Sequence, residues 1–116
     1  MISLAKQQSD LLGVPVIPVF WIAGEDHDID EINHVYIERG RKLQKMVYPG
    51  TSKIKKIASK TILDKNIMMS YVDELFQSVP ETLYTKELCQ KIIEHLQNND
   101  TYTEFFAAMM NDLFKE

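Results

Sequence analysis

The chain has 116 residues, of which 45% are hydrophobic and 26% charged, and its formal net charge is -4. These values are typical of one small globular domain or part of a larger one, and they exclude a disordered tail. The negative balance argues against a general nucleic-acid binder. The single cysteine, Cys89, cannot form an internal disulfide, so we expect a reducing, cytoplasmic environment. The longest apolar run, residues 14–23, is too short for a membrane span.

The first predicted elements are a helix and a buried strand. Residues 2–12 fit a helix that Gly13 can end in the left-handed conformation, and a proline follows two positions later. Residues 16–23 are apolar and rich in β-formers, which is typical of a strand covered on both faces in a parallel sheet. Pro18 lacks the N–H that a central strand needs, so we predict that pairing begins at about Val19.

Polar side chains are densest in the segment that follows this strand. Six of them are candidate site residues: Glu25, Asp26, His27, Asp28, Asn33 and His34. Ligands of open parallel sheets bind beyond the carboxyl ends of the strands, so this loop is placed for a binding crevice. His27 could transfer a proton, because the ordinary pKa of histidine is about 6.5. Asp26 or Asp28 could orient the imidazole ring or bind an amine.

The same segment has two other interpretations. Asp28 could simply cap a short helix with Glu31 at its third position, which would explain the polar residues without catalysis. His27, Asp28 and His34 include zinc and iron ligand types, but their spacing matches no helical His-Glu-x-x-His pattern. We therefore predict no metal at this loop and keep a structural role as the alternative to a catalytic one.

A basic hairpin is predicted next. Residues 35–38 and 43–48 fit two strands joined by a turn around Gly40. The stretch from residue 39 to 60 contains no acidic residue and eight basic ones: Arg39, Arg41, Lys42, Lys45, Lys53, Lys55, Lys56 and Lys60. We interpret them as the solvated face of an edge that discourages further strand pairing, with anion binding as the alternative. No aromatic residues alternate with them as in binders of single-stranded nucleic acid.

Three amphipathic helices are predicted in the last half of the chain. Asp64 and Thr85 can cap the first two, and Thr101 with Glu104 forms a capping box for the third. Each apolar stripe must pack on another surface, so a binding or assembly module without catalysis is an alternative function. Cys89 lies on the stripe of the second helix, which favours an inert, buried thiol.

The run from Gly13 to His34 resembles a family signature. Its centre, Phe20-Trp21-Ile22-Ala23-Gly24-Glu25-Asp26-His27-Asp28, is similar to the corresponding stretch of the bacillithiol biosynthesis cysteine-adding enzymes, the BshC cysteine ligases. The resemblance implies an α/β fold in which a partial Rossmann-like, nucleotidylyltransferase-like core segment is followed by a helical insertion. We expect the core segment, with signature loop and hairpin, to span residues 1–62, and the three-helix connecting insertion to span residues 63–116.

The resemblance also implies an activity and its partners. Members join L-cysteine to glucosaminyl-malate, which completes bacillithiol, a low-molecular-weight thiol of cellular redox chemistry. Forming an amide from a free carboxylate requires activation, and ATP is the expected nucleotide. Members are several times longer than this chain and form homodimers through a C-terminal coiled coil that it lacks. The chain is therefore expected to be an internal fragment that is inactive alone, with no nucleic-acid or membrane partner.

The resemblance assigns roles to the signature residues. The expected catalytic residues are His27, Asp26 and Asp28, with His27 in contact with the leaving phosphate or transferring a proton. The expected substrate-binding residues are Trp21, Glu25, Asn33 and His34. Besides the ligase and the helical binding module, a small metal-dependent hydrolase using His27 and His34 is a third hypothesis.

Overall fold

The computed structural model describes residues 1–50 and 56–115. Its five α-helices and two strands follow one another as α1 (Ile2–Leu12), α2 (Ile29–Ile32), β1 (His34–Arg39), β2 (Lys42–Val47), α3 (Lys65–Ser78), α4 (Thr85–Asn98) and α5 (Tyr102–Leu113). A short 3₁₀ helix, Ala58–Lys60, lies before α3. None of the helices in the described ranges has the length and apolar character needed to cross a bilayer.

Helix α1 ends as its sequence predicts. Gly13 has φ 66°, in the left-handed region, and its N–H donates to the carbonyl of Ser9 at 2.9 Å. This conformation favours glycine because a Cβ would be strained there. Ala5 is the buried residue of this helix, whereas Leu4, Leu11 and Leu12 are exposed.

Residues 16–23 do not form the predicted strand in the structure, so this prediction is wrong. The segment is irregular, and Ile17, Val19 and Trp21 are largely exposed. The physical reason is the lack of a partner: the sheet formed by the described residues contains β1 and β2 alone. An apolar run gains neither hydrogen bonds nor burial from a sheet unless a neighbouring strand is present.

The hairpin agrees with its sequence signals. Strands β1 and β2 are antiparallel, with His34 opposite Val47 and Arg39 opposite Lys42. The turn contains Gly40 and Arg41, both with positive φ, which matches the right-handed twist of a two-residue hairpin. The basic side chains of the described hairpin are exposed, whereas Lys53 and Lys55 lie outside the described residues.

The starts of the three long helices show which capping predictions hold. The Asp64 carboxylate accepts from the Ile67 N–H at 3.1 Å, and the capping box of Thr101 and Glu104 is complete. Helix α4 instead begins at Thr85 itself, so the prediction of Thr85 as its cap is wrong. The Thr85 hydroxyl accepts from the Thr82 N–H at 2.7 Å and is engaged in the preceding turn.

The core joins the end of the hairpin to the three long helices. Its buried members are Tyr48, Leu63, Met68, Val72, Leu96 and Tyr102. The Tyr48 ring makes edge-on contacts with the rings of Tyr71 and Tyr102, each at 5.9 Å between centroids. An isolated bridge between Ile62 and Thr101 connects the segment before α3 to the start of α5. Residues of this core also line the cavity described below.

Candidate functional site

The signature loop, defined as residues 24–28, is held in place through its backbone. The carbonyl of Gly24 accepts from the Ser59 N–H at 2.8 Å, and the carbonyl of Asp26 accepts from the Ala58 N–H at 2.7 Å. Both donors belong to the 3₁₀ helix. The loop is therefore tied to a segment more than thirty positions away in sequence, which local patterns did not indicate.

Gly24 is the packed end of the loop. A Cβ built on it would lie 3.1 Å from Thr103 Cγ2, 3.2 Å from Thr103 Oγ1 and 3.3 Å from Ser59 Cβ. These distances are shorter than ordinary van der Waals contacts between carbon atoms. Glycine thus allows the loop to approach both the 3₁₀ helix and α5.

We expect Gly24→Val to lower the free energy of unfolding by about 1–3 kcal/mol, because its methyl groups would overpack this contact. Denaturant titration measures the loss, and hydrogen exchange at the Ala58 and Ser59 amides should become faster. Ala23→Val, at the exposed neighbouring position, is the matched control and should change stability by less than about 0.5 kcal/mol. Equal effects of the two substitutions would contradict the close packing of Gly24.

An imidazole ring lies between two carboxylates in the loop. His27 Nδ1 is 3.8 Å from Asp26 Oδ1, and His27 Nε2 is 3.9 Å from Asp28 Oδ1. The His27 side chain is 55% exposed, and the two aspartates are similarly exposed. A protonated imidazole would gain electrostatic stabilisation from both carboxylates, and a neutral one can accept a proton from a bound molecule.

The Asp26 carboxylate organises the turn. Its Oδ1 accepts from the His27 N–H at 2.6 Å and from the Asp28 N–H at 3.1 Å. The bonds from the Asp28 and His27 amides lower the pKa of Asp26 below its ordinary value of 3.8. Both amides are therefore occupied, and neither is available to a bound anion.

Lowering of this pKa predicts a pH dependence of loop stability. The folded state favours the charged form of Asp26. The contribution of this carboxylate to stability is therefore complete above pH 3.8, and it is lost as the pH falls through the lower pKa of the folded state. We expect the stability difference between the parent and Asp26→Asn to shrink below pH 3.8. An NMR titration of the carboxyl carbon gives the pKa directly, and a midpoint at or above 3.8 would contradict the hydrogen bonds.

Helix α2 connects the loop to two further candidate residues. Asp28 is at its N-cap position but makes no side-chain capping bond, so the predicted Asp28 cap is not formed. Asn33 is only 7% exposed. Its side-chain Nδ2 donates to Asp30 Oδ1 at 3.1 Å, and its backbone carbonyl accepts from the Tyr48 N–H at 2.7 Å. His34 Nδ1 lies 3.1 Å from the Asp30 carbonyl. Both residues are thus fixed between the loop and the hairpin.

A cavity of about 600 Å³ lies beside the loop. Gly24, Asn33 and His34 line it from the loop side, and residues of α3, α4 and α5 line it from the helical side. The structure therefore divides the predicted site residues into two groups. Asn33 and His34 line the cavity, whereas the lining contains none of Trp21, Glu25, Asp26, His27 and Asp28.

The second group is exposed to solvent. Trp21 is 78% exposed, and Glu25 to Asp28 are exposed as well. The expectation that His27 lies inside a crevice at the end of a paired strand is not met within the described residues. The described residues contain no group of three or more histidine, cysteine, aspartate or glutamate side chains able to hold a metal ion. The geometry thus gives the hydrolase hypothesis no support.

Two lining residues were not identified from the sequence. Tyr102 and Thr103 line the cavity from the first turn of α5, and their hydroxyl oxygens are buried. The capping box at Thr101 predicts where α5 begins, but it does not indicate which surface the next two side chains meet. That information depends on the packing of α5 against the loop.

Comparison with known proteins places the whole chain in one family. Residues 1–116 match the family model described as "Bacillithiol biosynthesis BshC, N-terminal Rossmann-like domain". The mixture of helices with a small sheet agrees with the predicted α/β class.

Curated relatives carry the same family name. A protein of Lysinibacillus sphaericus named "Putative cysteine ligase BshC" is 45% identical over all 116 residues, which are 22% of its own length. The protein with that name from Bacillus cytotoxicus is 40% identical over 100% of this chain and 22% of its own length. The one from Bacillus cereus strain B4264 is 38% identical over 98% of this chain and 21% of its own length. The chain spans about a fifth of the length of the relatives it matches, and it belongs to the BshC family through the Rossmann-like domain.

Proposed function

We propose that this chain is part of a ligase that joins L-cysteine to the amine of glucosaminyl-malate in bacillithiol biosynthesis. The observation that carries the proposal is the family match, which extends over residues 1–116. The names of the relatives support cysteine as one substrate. Glucosaminyl-malate as the second substrate comes from the family resemblance of the signature.

The reaction requires two tasks of the protein. The carboxylate of cysteine must be activated, and the attacking amine must lose a proton as the amide bond forms. Activation by a nucleotide, with ATP as the expected one, is part of the proposal. The signature loop does not fit the nucleotide's phosphates by itself, because its side chains are mainly acidic and two of its amides bind Asp26. We therefore assign nucleotide binding to residues of the longer family protein outside this loop.

The loop does fit an amine. We propose that Asp26 or Asp28 holds the ammonium group of cysteine or the amine of the sugar, since carboxylates bind such groups by charge-assisted hydrogen bonds. His27 then accepts the proton that the attacking amine releases, or alternatively contacts the leaving phosphate. The position of its ring between two carboxylates supports the first role, because they would stabilise the imidazolium that forms.

The remaining signature residues are proposed to bind substrate. Trp21 offers an exposed ring and Glu25 an exposed carboxylate next to the loop. Asn33 and His34 would complete the site from the far end of α2. The proposal further includes a cytoplasmic location and a homodimer formed through a coiled coil in the longer protein.

The test is genetic and chemical. In a strain that makes bacillithiol, removal of the gene encoding this chain should abolish the thiol and cause glucosaminyl-malate to accumulate, and the parent gene should restore both levels. Unchanged bacillithiol would contradict the proposal. The purified 116-residue chain alone should not consume cysteine and glucosaminyl-malate, because it covers about a fifth of its relatives.

A further inference from the structure

Two lysines flank the segment that holds the signature loop. Lys56 precedes the 3₁₀ helix and Lys60 is its last residue, and both are exposed. The Ala58 and Ser59 amides of this helix donate to carbonyls of the loop at 2.7 and 2.8 Å. Each lysine is therefore within two residues of an amide bound to the loop, which is a backbone distance of at most about 7 Å. These hydrogen bonds fix the backbones of both lysines beside the acidic residues of the loop.

The strand-edge interpretation of the basic stretch does not apply to these two lysines. Lys42 lies on β2 and fits that interpretation, but Lys56 and Lys60 lie outside both strands. Neither of them forms an ion pair with a carboxylate in the described part of the chain. Two exposed cations are thus available to a bound molecule next to the loop.

The loop itself is poorly suited to an anion. Glu25, Asp26 and Asp28 carry carboxylates, and the two amides of the turn already donate to Asp26 Oδ1 at 2.6 and 3.1 Å. The neighbouring lysines supply the positive charge that the loop lacks. A molecule with an amine and carboxylates a few bonds apart matches this arrangement, because each group gains a charge-assisted hydrogen bond.

We propose that Lys56 and Lys60 bind the carboxylates of the malate group while the acidic residues of the loop hold the sugar amine, an assignment that rests on the ligase function proposed above. In glucosaminyl-malate the amine is on the sugar carbon next to the one that bears malate, so the charged groups are close together. The two malate carboxylates keep their charge throughout the reaction. The cysteine carboxylate loses its charge on activation, so a pair of cations suits malate better.

The test measures amide formation by the full-length family protein that contains this chain. Lys56→Ala and Lys60→Ala should each raise the KM for glucosaminyl-malate by about five- to twentyfold, with kcat within about twofold of the parent. Binding is lost equally from the ground state and the transition state, so the effect falls on KM. The KM for cysteine should stay at the parental value. Lys56→Arg and Lys60→Arg keep the charge and should restore the KM to within about threefold.

Two controls separate carboxylate recognition from a general effect of charge or folding. Free malate should inhibit in competition with glucosaminyl-malate, and its inhibition constant should rise by a similar factor in the alanine variants. Lys42→Ala removes an exposed basic residue of the hairpin and should keep the parental KM. Because both lysines are exposed, their alanine variants should change the free energy of unfolding by less than about 0.5 kcal/mol.

The outcomes distinguish this assignment from the ligase function. Absence of amide product with the parent protein would refute the ligase function and this assignment with it. Product formation with a parental KM for glucosaminyl-malate in both alanine variants would refute the role of the lysines alone. An equal rise in KM for Lys42→Ala, or a rise confined to the KM for cysteine, would refute it as well.

Discussion

Leu96→Ala should lower the free energy of unfolding by about 2–5 kcal/mol. Leu96 is 0% exposed and lies on α4 in the core, among residues of the hairpin end, α3 and α5. Its truncation removes apolar contacts and leaves a void that rigid neighbours fill only in part. A domain of this size has a total stability of about 5–15 kcal/mol, so this one residue accounts for a large share.

Two controls distinguish packing from a general effect of substitution. Leu83 is 95% exposed, so Leu83→Ala should change stability by less than about 0.5 kcal/mol. Leu96→Met nearly conserves volume and should cost less than about 1.5 kcal/mol. Urea titration measures the free energy of unfolding of the three variants. Equal slopes of this free energy against urea concentration indicate a loss of stability without a change in the unfolded state. Equal midpoints for Leu96→Ala and Leu83→Ala would show that α4 does not pack as described.

Elements with local signals were predictable from the sequence. The left-handed Gly13, the turn at Gly40 and the capping box at Thr101 each act within a few residues of themselves, and the structure contains all three. The hairpin and the three long helices follow from these signals together with the hydrophobic periodicity. The predicted apolar stripes of α3 and α4 match in part: Met68, Val72 and Leu96 are buried, whereas Ile67, Val79 and Leu88 are exposed.

Features that depend on distant partners were not predictable. The run 16–23 has strand composition, but a strand also requires a neighbour, and the described residues provide none. The hydrogen bonds from Ala58 and Ser59 to the signature loop connect parts of the chain that no periodicity relates. The cavity similarly combines Asn33 with Tyr102 and Thr103, which lie about seventy positions further along.

The same distinction applies to the candidate site. Sequence identified the Asp26-His27-Asp28 cluster, and the structure places its imidazole between the two carboxylates. The sequence interpretation also assumed that this cluster and the Asn33-His34 pair share one crevice. The structure separates them, since the cavity has the pair in its lining but not the cluster.

The loss of His27 should have the largest effect on activity. In the full-length family protein that contains this chain, we expect His27→Ala and His27→Gln to reduce amide formation by roughly 10²–10⁴-fold, which is the usual contribution of a general base. The glutamine variant keeps a hydrogen-bonding side chain but cannot accept a proton, so a similar loss in both variants would favour proton transfer over positioning. Product formation from cysteine and glucosaminyl-malate is the measurement.

The pH dependence separates the two roles proposed for His27. A base must be neutral, so the parent's kcat/KM should fall as the pH is lowered into the acidic range, and the residual activity of the variants should lose that slope. A ring that contacts the leaving phosphate binds it most strongly when protonated, so the rate would instead fall as the pH rises. His95→Gln is the matched control, because His95 pairs with Asp112 at 3.4 Å between α4 and α5, away from the loop. Parental activity in both His27 variants would remove His27 from the mechanism.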